Sequence, residues 1–387
     1  MKKICLLLVF FISFSLVAQV NKPFYQSIVA GVSYDTVLFN LQKLQALGVK
    51  SPGSAAITNT KNWLISKYQQ FGYTNIVGSN FSYSGNTLTN LVVTKTGDLY
   101  PNTYLIVDGH YDSKTGTGTN DNGSGVAIVL EIARLLANVN THYSIKFINF
   151  SGEESGLLGS QDYVDNVMTP QNQNILLVFN IDEVGGVAGQ TNNTVTCEND
   201  QSSPTANNAT SALYTDTLSQ AVLVYSNLLT TFNYAYGSDY VPFQQAGKII
   251  TGLFETNQST YPHTTGDNLA HLDTSYVFEI AKASTGAALY FAKAWDNITA
   301  VEVASAKALV KVFPNPFSDA ICLTNGSGEM LDVVIWDIGG KEICRLNLAA
   351  NTETICKLSD CTGGFYVLDV VNQKGEVVDR MKLLRTR

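Results

Sequence analysis

Apolar residues along this chain follow two rhythms. Between residues 86 and 296, short and nearly continuous apolar runs alternate with longer segments whose apolar positions recur every three to four residues. NTLTNLVVTKTG, NTYLIVDGHYDS, YSIKFINF, NILLVFNID and KIITGLFET read as strands. GVAIVLEIARLLANV, LLGSQDYVDNV, ALYTDTLSQAVLVYSNLLTTF and DTSYVFEIAKASTGAALYFAKAW read as helices. Upstream, TVLFNLQKLQAL and KNWLISKYQQFG add two helices, the second ended by Gly72. Near-continuous apolar strands alternating with amphipathic helices predict an α/β domain, its mostly parallel central sheet flanked by helices. The polar stretch GQTNNTVTCENDQSSPTANNATS (189–211) reads as a surface loop with room for a short strand. From residue 306 the rhythm changes to short alternating runs (ICLTN, LDVVIWDI, GFYVLDVV) between glycines, which predicts a small C-terminal β-sandwich. The expected layout is a domain over 19–296, a linker over 297–305 and the sandwich over 306–387.

The N-terminus adds a targeting signal. Lys2 and Lys3 precede the apolar ICLLLVFFISFSLVA, a signal peptide over residues 1–18 with cleavage after Ala18. No later stretch is long and apolar enough to span a bilayer. Without Cys5, five cysteines remain: Cys197, Cys322, Cys344, Cys356 and Cys361. Four lie in the last 66 residues, so an exported chain is expected to form one or two disulfides there, with the pairing open. The net charge of -8 is unevenly spread: residues 306–387 carry ten basic and ten acidic residues, residues 4–305 carry 12 and 22. An acidic main body argues against nucleic acid or an anionic membrane as partner.

The chemistry gathers at the strand ends, where ligands bind in open α/β sheets. The first strand of the alternating series ends in His110-Tyr111-Asp112, and the loop after it reaches Asp121. The next delivers Glu153 and Glu154, the following one Asp182, and the loop beyond KIITGLFET carries His263. The chain has only four histidines, and two of them fall at these ends. Imidazole mixed with carboxylate suits zinc. His142 reads as a surface residue and His271 as part of a loop or helix cap, while Glu198 and Asp200 read as solvated loop charges.

The motifs GHYDS, TNDNGSGVA, SGEESGLLGS, NIDEVG and YPHTTGD stand in one order over roughly residues 85–295. In that order they resemble the co-catalytic zinc aminopeptidases of the bacterial leucyl aminopeptidase type, and so the zinc exopeptidase fold. The resemblance implies two Zn²⁺ per chain: His110 and Asp182 on one, Glu154 and His263 on the other, and Asp121 bridging both. Asp112 then stands behind His110 and fixes its tautomer. Two zinc ions against Asp121, Glu154, Asp182 and one hydroxide leave the site near neutral. That leaves Glu153 free to act as general base toward an activated water. The family often has a cis peptide after the bridging aspartate, here Asp121–Asn122. Asp239 in GSDYVPF matches a family position, but Tyr240 stands where a histidine is usual, so Asp239 is kept out of the expected set. Glu183 replaces a commoner apolar residue. The adjacent Glu153 and Glu154 must reach one pocket, a turn that Gly152 and Gly156 allow.

The implied function is a secreted metallo-exopeptidase acting on peptide N-termini, expected as a monomer, with its side-chain preference open. The alternative is a glutaminyl cyclase-like acyltransferase with a single zinc, which HYDSK (110–114) resembles. In the tail, KVFPNPFSD, GGFYVLDV and KLL resemble the sorting domain of the type IX secretion system. That implies the secretion machinery as a partner and a location at the cell surface or outside the cell.

Overall fold

The computed structural model describes residues 21–235, 237–296, 309–337, 340–358 and 361–385. The expected signal peptide and the linker over 297–305 lie outside these residues. The chain divides into two compact units at Asp296/Asn297.

The first unit opens with helices α1 (Pro23–Val29), α2 (Tyr34–Ala46) and α3 (Ala55–Gln70). Ser33 and Ser54 cap the second and third, their hydroxyls accepting from the amides of Thr36 and Ile57. Strands β1 (Ile76–Tyr83), β2 (Asn86–Lys95) and β3 (Tyr100–His110) follow, then α4 (Gly123–Leu136), the short β4 (Asn140–Thr141) and β5 (Tyr143–Phe150). Next come α5 (Leu158–Asp162), β6 (Asn174–Ile181), β7 (Thr194–Asn199) and α6 (Asn208–Tyr225). The unit closes with β8 (Leu229–Tyr234), α7 (Tyr240–Gln245), β9 (Ile250–Glu255), α8 (Thr274–Phe291) and β10 (Ala294–Trp295).

Eight strands form one sheet in the order β1-β2-β5-β3-β6-β9-β7-β8. Its centre, β5-β3-β6-β9, is parallel throughout. These strands are buried on both faces: Leu105, Ile106, Val107, Ile145, Phe147, Leu177, Val178 and Phe179 expose none of their surface. Helices α4 and α8 pack on the sheet with apolar faces that include Val126, Val129, Ile280 and Leu289. Strand β3 has β5 on one side and β6 on the other, so the ends of all three open side by side.

Two expectations change, and the short strand for which residues 189–211 had room is present. Strand β1 is an unforeseen hairpin partner of β2, joined through Ser84 (φ 50) and Gly85 (φ 76). Both turn residues are left-handed, as a two-residue hairpin requires. The expected helix over 212–232 stops at Tyr225, and LTTFNY becomes the edge strand β8, where its threonines and aromatics suit a pleated surface. The polar stretch at 189–211 is not a surface loop throughout. It supplies β7, an interior strand between β9 and β8.

Glu198 and Asp200 are therefore buried rather than solvated. Glu198 accepts from the Tyr240 hydroxyl at 2.9 Å, and Asp200 accepts from the Ser202 amide at 2.8 Å and from the Gln244 side chain. Glu198 lies on that interior strand, where a polar side chain must find an internal partner, and Asp200 lies just past its end. His142 lies at the surface beside Asp98, 3.0 Å away. His271 ends a short 3₁₀ turn and stacks on Tyr261 with 3.8 Å between ring centroids.

The second unit is all β: β11 (Val310–Phe313), β12 (Ala320–Asn325), β13 (Leu331–Asp337), β14 (Glu342–Leu348), β15 (Glu353–Lys357), β16 (Gly364–Val371) and β17 (Val377–Arg385). They form antiparallel sheets of three (β11-β12-β15) and four strands (β14-β13-β16-β17) over one core of Ile321, Leu323, Val333, Ile335, Leu368 and Val370. Cys344 and Cys356 come from opposite sheets, with 3.2 Å between their sulfurs, and no disulfide is formed among the described cysteines. Among the described residues, no helix is long and apolar enough to cross a membrane.

Candidate metal centre

Each of the parallel strands at the centre of the sheet ends in a carboxylate or an imidazole. Strand β3 runs into His110, and the following loop carries Asp112 and Asp121 before α4 begins at Gly123. Strand β5 ends at Phe150 and delivers Glu153 and Glu154; β6 ends at Ile181 and delivers Asp182. The loop after β9 brings His263, held at φ 62.

The SGEESG segment folds into a single 3₁₀ turn at Glu153–Ser155, with Gly152 (φ 78) before it and Gly156 (φ 103) after it. Both glycines are left-handed, a conformation that a side chain would strain. The turn abolishes the strand-like alternation that would send the two glutamates to opposite sides, and both line one cavity of about 300 Å³. Asp112 anchors this turn from below. Its two oxygens face the amides of Glu153 and Glu154 at 3.3 Å each. The same carboxylate lies 3.6 Å from His110 Nδ1.

The imidazoles and carboxylates meet in two overlapping groups, His110–Asp121–Asp182 and Asp121–Glu154–His263. His110 Nε2 is 3.1 Å from Asp121 Oδ1 and 3.4 Å from Asp182 Oδ1. His263 Nε2 is 3.2 Å from Asp121 Oδ2 and 2.8 Å from Glu154 Oε2. Asp121 thus turns one oxygen to each histidine. Glu153 Oε2 stands farther off, 3.9 Å from His110 Nε2. The structure brings all seven expected residues together, and the Asp121–Asn122 peptide is cis.

The donor set fits cations. Asp182 Oδ1 and both ring nitrogens of His110 are buried without a hydrogen bond of acceptable geometry, and buried polar atoms are rarely left so. Crowding shows in the acidities. Burial pushes Glu153 up to about 10; His110 opposes this, while Asp182, Asp239 and Asp112 add to it. Glu154 is pushed up to about 7 by burial and Asp121, against His110 and His263. Burial alone would pull His110 down, but Asp182 and Glu153 outweigh it and hold the imidazolium well above its usual range. A site that holds protons this firmly is one where a divalent ion displaces them on binding.

A supporting layer escaped the sequence reading. Asp267, inside the YPHTTGD motif, accepts the amides of Thr119 and Asn120 on Oδ1 at 3.0 and 2.7 Å, and that of Asp121 on Oδ2 at 3.1 Å. Ser238 Oγ donates to Asp182 Oδ2 at 2.6 Å and accepts from Asn180 Nδ2 at 2.9 Å. The fully buried Asp239 lies behind them. Lys50, 1% exposed, donates through Nζ to the carbonyls of Gly48 and Thr117, tying the end of α2 to the loop that carries Asp121. Asp267, Ser238 and Asp239 sat in motifs already marked. Nothing in the sequence around Lys50 announces it.

Two family models match the chain. Peptidase family M28 matches residues 90–287, and a secretion system C-terminal sorting domain matches residues 311–383. The chain belongs to peptidase family M28, and its last 80 or so residues carry a sorting domain. It is 33% identical to the aminopeptidase YwaD of Bacillus subtilis over 185 residues, which cover 43% of this chain and 36% of that protein. The match thus spans about a third of that relative's length. Among solved structures, the LapA aminopeptidase of Legionella pneumophila aligns with a TM-score of 0.62 and 21% identity, over 70% of this chain and 74% of its own. A glutaminyl cyclase of Bacteroides thetaiotaomicron aligns with a TM-score of 0.55 and 18% identity, over 66% and 97%. These two likenesses speak for the zinc exopeptidase fold.

Proposed function

We propose that this chain is an exported dizinc aminopeptidase. The observation that carries the reading is Asp121, whose Oδ1 and Oδ2 stand 3.1 Å and 3.2 Å from the Nε2 atoms of two different histidines. His110 and Asp182 would hold one zinc, Glu154 and His263 the other, with Asp121 facing both. Bound there, zinc supplies Lewis acidity and lowers the pKa of a water from ~15.7 toward ~7. Glu153 takes the proton of the attacking water on its carboxylate and returns it to the leaving amine. Asp112 orients both parts, holding the Glu153 turn by its amides and facing the imidazole of His110.

Membership of the M28 family and the similarity to YwaD support peptide hydrolysis. The sorting domain supports export by the type IX route, and the two lysines and apolar run at the chain's start support removal of residues 1–18 on the way. The test uses the full chain purified after export. Zinc is counted by elemental analysis, and hydrolysis of leucine anilide is followed with and without chelator. About two zinc ions per chain and chelator-sensitive release of anilide are expected. One zinc, with cyclisation of an N-terminal glutamine peptide and no anilide hydrolysis, would instead make it a glutaminyl cyclase.

A further inference from the structure

We infer that Glu183 receives an ammonium group of the substrate; this rests on the aminopeptidase reading. Glu183 follows Asp182 and lines the same cavity of about 300 Å³ as Asp121, Glu153, Glu154, Asp182 and His263. It is not a member of either group able to hold a metal. Its backbone is fixed: the carbonyl accepts the Glu255 amide at 2.9 Å, and φ is 44, left-handed for a residue with a side chain. The carboxylate is only partly exposed and makes no hydrogen bond or ion pair with any described residue. Its charged neighbours are Asp121, Asp182 and Glu255, which repel it, and His110, which opposes them but does not pair with it.

A carboxylate kept among carboxylates without a partner gains nothing for the fold, since unpaired charge is disfavoured by burial and by like neighbours. Lys114 also lines the cavity, yet it forms no ion pair with Glu183. The missing partner is therefore a cation that arrives with the substrate. In a peptide the α-ammonium nitrogen is two bonds from the carbonyl carbon under attack. An anion next to a metal-facing aspartate is within reach of that nitrogen, or of a side-chain ammonium on the same residue. Both sources share one chemistry, a primary ammonium. A cavity of that size has room for the first residue of a chain and little more.

The test is Glu183→Gln, which keeps shape and removes charge, with Glu183→Asp as the conservative control, both in the full-length zinc-loaded enzyme. Hydrolysis of leucine anilide and lysine anilide is measured beside zinc content. Loss of a charge-assisted hydrogen bond predicts a fall of at least about tenfold in kcat/KM, carried by KM, and partly recovered in Glu183→Asp. A fall on both anilides places the α-ammonium at Glu183; a fall on the lysine substrate alone places the side-chain ammonium there. Calorimetry gives a second readout. Glu183→Gln should weaken binding of free L-lysine, and of L-leucine in the first case, while 4-methylpentanoate, leucine without its amine, is unaffected. The inference is overturned if Glu183→Gln leaves every kcat/KM and both affinities unchanged, or if it loses zinc. Should the parent enzyme hydrolyse neither anilide while binding L-lysine through Glu183, it is the aminopeptidase reading that fails.

Discussion

The two histidines of the site live in opposite surroundings. His110 ends an interior strand with its side chain 1% exposed, whereas the side chain of His263 is 52% exposed on a loop. Their companions differ in the same way. Asp182 is steadied by Ser238, and His110 has Asp112 behind it. Among the described residues, His263 pairs with Asp121 and Glu154. One half of the centre is thus part of the sheet's core and the other is closed from outside by a loop. Pre-organised ligands lose little freedom on binding a metal, and loop ligands lose more. The buried half should hold its zinc firmly and the exposed half should exchange it.

The largest expected effect tests whether Glu153 stands apart from both halves. Glu153→Gln should retain two zinc ions and lose on the order of 10³-fold in kcat, the usual contribution of a general base. Metal analysis beside single-turnover kinetics checks this, and loss of either zinc would place Glu153 among the ligands. The two histidine variants address the comparison directly. His110→Ala removes a buried partner of several carboxylates. Breaking such a network costs about 3 kcal/mol or more, so Tm should fall by roughly 6–12 °C along with loss of metal. His263→Ala should keep one zinc and stay within about 2 °C of the parent, as exposed substitutions do. Equal metal loss and equal Tm shifts would erase the distinction between the halves.

That asymmetry was not legible in the sequence, although the residues were. Strand periodicity placed His110, Asp182 and the glutamate pair at strand ends, because continuous apolar runs mark buried parallel strands and their ends face one way. What periodicity cannot report is depth. His110 and His263 look alike as letters, and their burial depends on which strands neighbour β3 and on a loop of more than a hundred residues' separation from it. The misread segments share a cause. Glu198 and Asp200 are polar, yet tertiary context buries one on an interior strand and the other just past its end, with partners supplied by Tyr240 and Gln244 from a distant helix. The edge strand β8 continues a helical pattern whose last residues favour a sheet only once β7 is there to pair with. Lys50 belongs to the same class: its task is defined by the Thr117 carbonyl, 67 positions away.

Smaller effects sharpen the comparison further. Asp112 serves the buried half through His110 and the glutamate turn through two amides. Asp112→Asn should weaken zinc binding by 10–100-fold, the usual effect of removing a partner behind a metal ligand, and titration with a competing chelator reads it. The loss should fall mainly on the buried zinc; an equal loss on both would mean that Asp112 acts through the turn alone.

The last difference lies in protons. In the chelator-treated protein Glu154 binds its proton up to about pH 7 and Glu153 up to about pH 10, whereas an unfolded glutamate releases it near 4.5. Between those values the native state holds more protons than the unfolded one, so stability falls as pH rises. His110, held above its usual range, contributes in the same direction: its share is complete below about pH 6.5 and is lost at higher pH. Asp121 is the opposite case. Burial alone would raise it, but His110 and His263 hold it low, so its contribution is lost only in strong acid. The Tm of the metal-free protein should therefore drop steadily from pH 5.5 to 8.5, and zinc should flatten that slope because the metal takes the protons' place. Glu154→Gln should remove a share of the slope below pH 7 only, and Glu153→Gln a share of it across the whole range. A metal-free Tm that is flat or rising over this range would mean that the two halves do not hold these protons.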